Sequence, residues 1–163
     1  MKTNRDIEIL RILENDARIS EKDIATMLGA SEADIKKQIE RLRKEKIIKK
    51  FKTVIDWRKA GEHEVNAVIQ AKVVPQERAG FERTCREISK DPRVRGVYVA
   101  TGDYDLMLFV EGKNIDEISE FVTDKLAPKK EIVGTNTHII MKVFKRDGEM
   151  FIDDEVKRLK VSL

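Results

Sequence analysis

The sequence predicts an α+β protein, with an N-terminal winged helix-turn-helix domain followed by a ferredoxin-like βαββαβ domain. Three observations predict this order. Three early segments each begin with a capping hydroxyl and continue with apolar residues at helical spacing, and later segments alternate between strand and helix patterns. Positive charge is concentrated at one end, since residues 1–60 hold 16 Lys and Arg against 11 Asp and Glu. We expect domains at 1–60 and 61–145 and a C-terminal extension at 146–163.

The helix-turn-helix is predicted from its capping residues. In each segment a hydroxyl lies three residues before a carboxylate, so the hydroxyl can accept from a free helix N–H and the acid suits the positive helix end. Gly29 suits the end of the second helix, and a serine cap follows two residues later, so the two helices cross steeply. The predicted helices span 4–15, 20–28 and 31–45, and their capping pairs are Thr3–Asp6, Ser20–Asp23 and Ser31–Asp34.

The third predicted helix has an apolar face and a basic face. Residues 31–52 hold nine basic and four acidic residues, and we expect Lys37 and Arg41 to face away from Ile35 and Leu42. A helix packed on one side and basic on the other suits the major groove of DNA, although an ordinary solvated helix is the alternative. The candidate DNA-binding residues are Ser31, Ala33, Lys36, Lys37, Arg41, Lys44, Lys49 and Lys50.

The segment after this helix predicts a strand. Residues 47–56 interleave β-branched and aromatic residues with lysines, which favours a wing whose lysines lie over phosphate. A connector strand without contacts to phosphate is the alternative. Residues 57–63 are polar and contain Gly61, so the domain boundary is expected there.

The remaining sequence predicts a ferredoxin-like βαββαβ domain. This topology gives an antiparallel four-stranded sheet with both helices on one face. A second subunit is the usual cover for the other face, so we expect a homodimer. The predicted strands are 65–73, 94–101, 106–111 and 133–145, the predicted helices are 76–90 and 115–126, and the residues expected on the helix-free face are Tyr98, Thr135, Thr137 and Ile139. In the extension, Ile152, Val156 and Leu159 predict a short amphipathic helix.

Four segments, at 6–18, 41–49, 101–106 and 133–140, resemble motifs of the Lrp/AsnC family in order and spacing. The resemblance implies a sequence-specific DNA-binding regulator of transcription that forms dimers and often tetramers or octamers. It also implies that the second domain, called RAM, commonly binds an amino acid between subunits. The effector residues implied by the resemblance are Gly102, Asp103, Tyr104, Asp105, Thr135 and Thr137.

The chemistry of this turn suits such a ligand. A carboxylate can hold an α-amino group, and a glycine turn can offer backbone N–H groups to an α-carboxylate, although any tight hairpin turn uses the same residues.

The sequence departs from the family at two places. Lys46 stands where the family usually has glycine, and Lys130-Glu131 stand where Pro-Gly is common.

Catalytic and metal chemistry is not expected. His63, Cys85 and His138 are scattered without metal-ligand spacing, and a single cysteine cannot form an internal disulfide. Phosphate-loop and dinucleotide fingerprints are absent, so we expect no cofactor and no enzyme. No apolar run approaches the length of a membrane span, and a cytoplasmic protein is expected.

Two other functions fit parts of the sequence. A ligand-sensing subunit of an amino-acid enzyme complex could use the βαββαβ domain, but it would not need the basic helix. An RNA-binding sheet needs exposed aromatic residues on its central strands, and the two strands concerned offer only Tyr98 and Phe109.

Overall fold

The computed structural model describes residues 3–74 and 81–152. The chain divides between Ile55 and Asp56 into two compact units, each with its own hydrophobic core. Within the described ranges, no helix has the length and the apolar character needed to cross a membrane.

The first unit contains the three predicted helices, α1 (Asn4–Asn15), α2 (Glu21–Leu28) and α3 (Glu32–Lys44). The three predicted caps are confirmed. Each capping hydroxyl accepts from the backbone N–H of the acidic residue three positions later, and in α1 the Asp6 carboxylate also accepts from the Thr3 N–H at 2.9 Å. The helices enclose a core whose fully buried members are Ile9, Ile24, Ile35 and Leu42.

The turn between α2 and α3 has the geometry that the sequence predicts. Gly29 adopts the left-handed conformation, with φ 59° and ψ 43°, and the Ala30 N–H donates to the Ala25 carbonyl at 3.0 Å. Ser31 then caps α3. This short connection sets the helix-turn-helix arrangement.

The predicted wing strand at 47–56 is wrong, since residues 49–56 belong to no helix or strand. A strand is stable only when a neighbouring strand pairs with its N–H and C=O groups. The regular elements described in residues 3–55 are all helices, so this segment has no strand beside it in its own unit. The residue types of this segment favour an extended chain, but an extended chain becomes a strand only beside a second strand.

The second unit has the predicted βαββαβ order. It consists of β1 (Val65–Val73), α4 (Glu82–Ile88), β2 (Val94–Val99), β3 (Leu106–Gly112), α5 (Ile115–Phe121) and β4 (Ile132–Ile139), and a π-helical turn (Val122–Leu126) extends α5. The sheet is antiparallel with strand order β2-β3-β1-β4, which confirms the ferredoxin-like topology. The predicted start of the first helix, at 76, lies outside the described residues.

Both helices pack on one face of the sheet, as predicted. Alternate residues of β1 and β3, including Ile69 and Leu108, are fully buried and form one cluster with Ile88 of α4 and Phe121 of α5. The other face bears partly exposed side chains, among them Tyr98, which is 57% exposed.

The register corrects the expected position of three β4 residues. Directly paired residues share a face of the sheet, and Thr135, Thr137 and Ile139 pair with the buried residues Ala71, Ile69 and Ala67. They therefore lie on the helix-bearing side and not on the helix-free face. Tyr98 pairs with Met107, which pairs with Gln70, so its predicted place on the helix-free face is confirmed.

The last predicted strand is too long. It ends at Ile139 because β1 begins at Val65, and the Ile140 N–H donates to the Asn66 carbonyl near the end of that partner strand. A small hairpin follows, made of β5 (Lys145–Arg146) and β6 (Glu149–Met150). Both residues of its turn, Asp147 and Gly148, have positive φ, as a type I′ turn requires.

The hairpin occupies the start of the C-terminal extension, before the residues on which the short amphipathic helix was predicted. A tight two-residue turn reverses the chain there, which a helix cannot do. Val156 and Leu159, which were to continue the helix, lie outside the described residues.

Candidate nucleic-acid interface and ligand site

The outer surface of α3 is basic and accessible. Lys36, Lys37 and Lys44 are exposed, as is Ala33 near the start of the helix. Lys37 and Lys44 are seven residues apart, or about two helical turns, so they lie on one side of the helix. They line a shallow open groove together with Asp34, Gln38, Glu40 and Arg41. Because Lys37 and Lys44 are exposed on the same side of the helix, both can approach an anionic backbone without a rearrangement of α3.

Ser31 is engaged within the protein. Its hydroxyl accepts from the Asp34 N–H at 3.1 Å and donates to the Asp34 carboxylate at 2.7 Å. The hydroxyl therefore fixes the start of α3.

Arg41 lines the outer groove with Lys37 and Lys44, and its guanidinium also connects two helices. Its guanidinium contacts the Asp6 carboxylate of α1 at 2.5 Å and the Glu45 carboxylate at 3.2 Å. Asp6 is only 1% exposed, whereas the Arg41 side chain is 41% exposed. Helical periodicity gives the direction of a side chain but not the reach of a long arginine to a neighbouring helix.

The buried carboxylate of Asp6 is stabilised in its charged form. Burial alone would raise the pKa of Asp6, but hydrogen bonds from the Thr3 backbone and from Arg41 outweigh that effect and lower it. Asp6 thus serves both as a helix cap and as the partner of Arg41. The capping role is readable from the sequence, whereas the ion pair depends on the way α1 and α3 pack.

The end of α3 leads directly into more basic residues. The Ile47 N–H donates to the Leu42 carbonyl and the Lys46 N–H to the Arg43 carbonyl, both at 3.0 Å, which is a Schellman ending. Lys46 takes the left-handed position of this motif, with φ 57°. Glycine would adopt this conformation without the strain that a side chain brings. Lys49 and Lys50 follow and are exposed.

The predicted effector turn connects β2 to β3. The Ala100 N–H donates to the Asp105 carbonyl at 2.9 Å, and Gly102 has a φ of 122°, in the region that favours glycine. Gly102 and Asp103 are exposed, and Tyr104 is partly buried. An exposed carboxylate beside a glycine turn is the arrangement that the sequence predicts.

Asp105 fastens this turn to β1. Its carboxylate accepts from the Val73 N–H at 2.9 Å and lies 3.5 Å from the Lys72 ammonium group. The Val73 hydrogen bond, followed by the charge of Lys72, lowers the pKa of Asp105 despite partial burial. Of the two aspartates, Asp103 is therefore the more exposed one.

The two parts of the predicted effector site lie at the same end of the sheet. The Asp105 N–H donates to the Ala71 carbonyl at 3.1 Å, and Ala71 pairs on its other side with Thr135. The turn and Thr135 thus flank one residue of β1. Thr137 lies two residues further along β4, and both threonines are exposed.

The helix-free face carries an aromatic pair. Tyr98 and Phe109 meet edge to face with ring centroids 5.6 Å apart. The Tyr98 ring lies over Gly96, where a Cβ atom would come within 2.7 Å of it. The sequence did not single out Gly96, although a glycine inside a strand is typical of such a close approach.

Features that could support catalysis are weak in the described part of the chain. No three His, Cys, Asp or Glu side chains come together in 3–74 and 81–152 as a metal site would require. Cys85 packs partly buried against the core of the second unit, and burial raises the pKa of its thiol. A thiol in this state is a poor nucleophile.

Comparison with known proteins gives a consistent result. Residues 66–150 match the family model of the Lrp/AsnC ligand binding domain, and residues 2–49 match that of a winged helix-turn-helix DNA-binding domain. The HTH-type transcriptional regulator YugG of Bacillus subtilis is 38% identical over 162 residues, which cover 98% of each chain. The regulator LysM of Saccharolobus solfataricus is 37% identical over 139 residues, covering 85% of this chain and 93% of that protein.

A solved structure also shares the fold. The structure of B. subtilis LrpC aligns with a TM-score of 0.65 at 23% identity, covering 89% of this chain and 99% of that one. The matching domains and the names of the curated relatives are those of transcriptional regulators and not of enzymes.

Proposed function

The chain belongs to the Lrp/AsnC family of transcriptional regulators, with a DNA-binding helix-turn-helix domain and a ligand-binding domain, and from this premise we propose how its own residues share the work. The first unit binds duplex DNA in a sequence-specific way through α3 and the basic segment after it. The second unit forms the homodimer and holds a small amino-acid-like effector. The protein acts in the cytoplasm, where bacterial and archaeal DNA is found.

The exposed basic stripe of α3 carries the proposal. Lys37 and Lys44 lie on the accessible side of a helix whose other side, with Ile35 and Leu42, is fully buried. Lys49 and Lys50 extend the positive surface beyond the helix end. We assign these lysines, with Lys36, to phosphate and base contacts in and beside the major groove. Ser31 and Ala33 allow the helix start to approach the groove closely.

The homodimer is proposed to form through the helix-free face of the sheet. Tyr98 is 57% and Phe109 37% exposed there, and the close approach of Tyr98 to Gly96 holds the aromatic pair in one arrangement. Preorganised aromatic side chains are typical of interface centres. A dimer would also present two copies of α3 to the two halves of an operator.

The effector is proposed to bind at the end of the sheet where the turn and β4 meet. Gly102, Asp103 and Tyr104 offer a carboxylate and backbone N–H groups, and the exposed hydroxyls of Thr135 and Thr137 offer further hydrogen bonds. Asp105 holds the turn in place through Val73. A zwitterionic amino acid has the charges that such a site can satisfy.

The first test of this function is the salt dependence of DNA binding. If about six phosphates are engaged per dimer, the logarithm of the binding constant should fall with the logarithm of salt concentration with a slope near −5. Fluorescence anisotropy with a genomic duplex, selected by mapping the DNA that the protein binds, gives this slope. Binding that is insensitive to salt would contradict the proposal.

Two lysine-to-alanine substitutions, one in each unit, test whether α3 carries the DNA-binding surface. Lys37→Ala should weaken binding to the selected duplex by about tenfold, because a base or phosphate contact contributes about 1–3 kcal/mol. Lys113→Ala removes one exposed lysine from the second unit and should leave binding unchanged. Equal effects of the two substitutions would mean that α3 is not the DNA-binding element.

A further inference from the structure

The basic segment that follows α3 is attached to the first unit at two points, although it has no strand beside it. Ile48 packs partly buried against the core of the three helices, and its N–H donates to a carbonyl in the last turn of α3 at 3.2 Å. Three residues later, the guanidinium of Arg43 lies over the ring of Phe51, 5.9 Å from its centroid. Lys49 and Lys50 therefore lie between two attached residues.

Arg43 occupies a different side of α3 from the lysines of the outer groove. It follows Lys37 by six residues, which places it about 120° away around the helix. Its side chain forms no ion pair within residues 3–74 and 81–152, and its charged group lies over Phe51 instead. The Arg43 carbonyl accepts from the Lys46 N–H at 3.0 Å. The backbone and the side chain of Arg43 thus both hold the chain that leaves the helix.

The two lysines held in this way are available to an anion. Lys49 and Lys50 are exposed, and neither ammonium group forms an ion pair in the part of the chain that the structure describes. A lysine on a mobile segment must be ordered when it binds, and the lost conformational entropy reduces affinity. Two lysines between attached neighbours lose less entropy on binding.

The contact between Arg43 and Phe51 is local and weak. Phe51 is 39% exposed, and a cation over an exposed ring contributes too little to determine the fold of a whole unit. It is sufficient to restrict a segment of a few residues that has no strand beside it. Arg43 keeps its charge in this contact, so the positive potential at this end of α3 is retained.

We propose that Arg43 is a positioning residue, which acts through Phe51 and holds Lys49 and Lys50 in place as a preformed contact for the phosphates of duplex DNA. This inference rests on the proposed function and identifies what orders the basic segment beyond α3. The ring of Phe51 carries no charge, so its influence on DNA binding passes through the two lysines.

A double-mutant cycle tests this role, with dissociation constants for the selected genomic duplex measured by fluorescence anisotropy. Phe51→Leu removes the aromatic face without removing a charge, and it should weaken binding about threefold, the effect expected of a cation over an exposed ring. In the K49Q/K50Q variant, which binds more weakly from the outset, Phe51→Leu should cause no further loss. Phe51→Tyr keeps the ring and should bind like the unmodified protein.

Arg43→Gln breaks the same contact from the other side. It also removes a charge, so it should weaken binding in every background. The factor by which it does so should be about three times larger in the unmodified protein than in K49Q/K50Q. Urea unfolding followed by circular dichroism checks that each variant is folded, and this second cycle decides the matter if Phe51→Leu does not fold.

Three results would overturn the proposal: equal effects of Phe51→Leu or Arg43→Gln with and without the two lysines, no effect of Phe51→Leu in a folded protein, or weaker binding by Phe51→Tyr. In each case a tenfold loss in Lys37→Ala would leave the proposed function standing. If neither Lys37→Ala nor K49Q/K50Q changed DNA binding, the proposed function would fail, and the positioning role of Arg43 would fail with it.

Discussion

At the scale of single residues, Arg41 and Asp6 determine how firmly the DNA-binding helix is held. The Asp6 carboxylate is buried and accepts from both the Thr3 backbone and the Arg41 guanidinium, so it joins the cap of α1 to the last turns of α3. Removing one partner of such a pair leaves the other buried without compensation. Arg41 on α3 thus supports the fold of the first unit. Its loss would weaken DNA binding indirectly, by changing the position of α3.

We expect Arg41→Ala to lower the free energy of unfolding, because the buried Asp6 carboxylate loses a hydrogen bond from a charged group. Lys44→Ala, on the same helix and exposed, should change it by less than about 0.5 kcal/mol. Urea unfolding followed by circular dichroism measures both. Equal, small changes would show that the Arg41–Asp6 contact does not stabilise the unit.

The same pair predicts a dependence on pH. The pKa of Asp6 is lower in the folded protein than in the unfolded chain, so its contribution is complete above the ordinary aspartate range and is lost as the pH falls through the folded pKa. Asp6→Asn should therefore lower stability at neutral pH and flatten the decline of stability in acid. If the variant and the unmodified protein lost stability in parallel below pH 4, Asp6 would not be responsible.

Lys46 introduces backbone strain at the C-terminal end of α3. A residue with a side chain is strained by about 1 kcal/mol in the left-handed conformation that closes the Schellman motif. Lys46→Gly should therefore raise the unfolding free energy by up to about 1 kcal/mol, while Lys46→Ala should not raise it. Comparison of these two variants by urea unfolding separates backbone strain from loss of charge, and a gain with alanine would contradict this explanation.

At the scale of elements, the sequence was most informative where a local signal determines the structure. The caps at Thr3, Ser20 and Ser31 and the glycine turn at Gly29 were all predicted, because each depends on residues within one turn of helix. The alternation of apolar residues in β1 similarly predicted its buried face. These signals require no knowledge of what lies elsewhere in the chain.

The elements that were predicted incorrectly depend on distant partners. Residues 47–56 have strand-forming residues but no neighbouring strand in their unit, and β4 stops where its partner β1 begins. The hairpin at 145–150 could have been predicted, since Asp-Gly between short extended segments is a strong type I′ signal. Thr135 and Thr137 were expected on the wrong face because the pairing register, which the sequence does not give, decides which side of the sheet each residue takes.

At the scale of the whole molecule, the effector response is expected to depend on the second unit. Asp103→Ala should abolish the heat of binding of the effector and its influence on DNA binding or particle size, because only a ligand with different affinities for two states can shift their balance. DNA binding without effector should be unchanged, since Asp103 lies outside the first unit.

Titration calorimetry with the twenty amino acids, combined with light scattering, measures this response. Glu120→Ala removes another exposed carboxylate of the second unit and serves as the matched control. Heat of binding that survives in Asp103→Ala, or silence from every amino acid, would contradict the assignment of the effector turn.

The order of strands in the sheet has a consequence for the synthesis of the chain on the ribosome. Strand β1 is made first but lies in the middle of the sheet, between β3 and β4. Its buried residues, such as Ile69, have no complete set of neighbours until synthesis has passed Ile139. The first unit has no such delay, because its helices and core are complete within 55 residues. The N-terminal unit can therefore fold early in synthesis, whereas the apolar strand β1 stays incompletely paired until β4 has been made. Newly made chains are most prone to aggregate while such a strand is exposed.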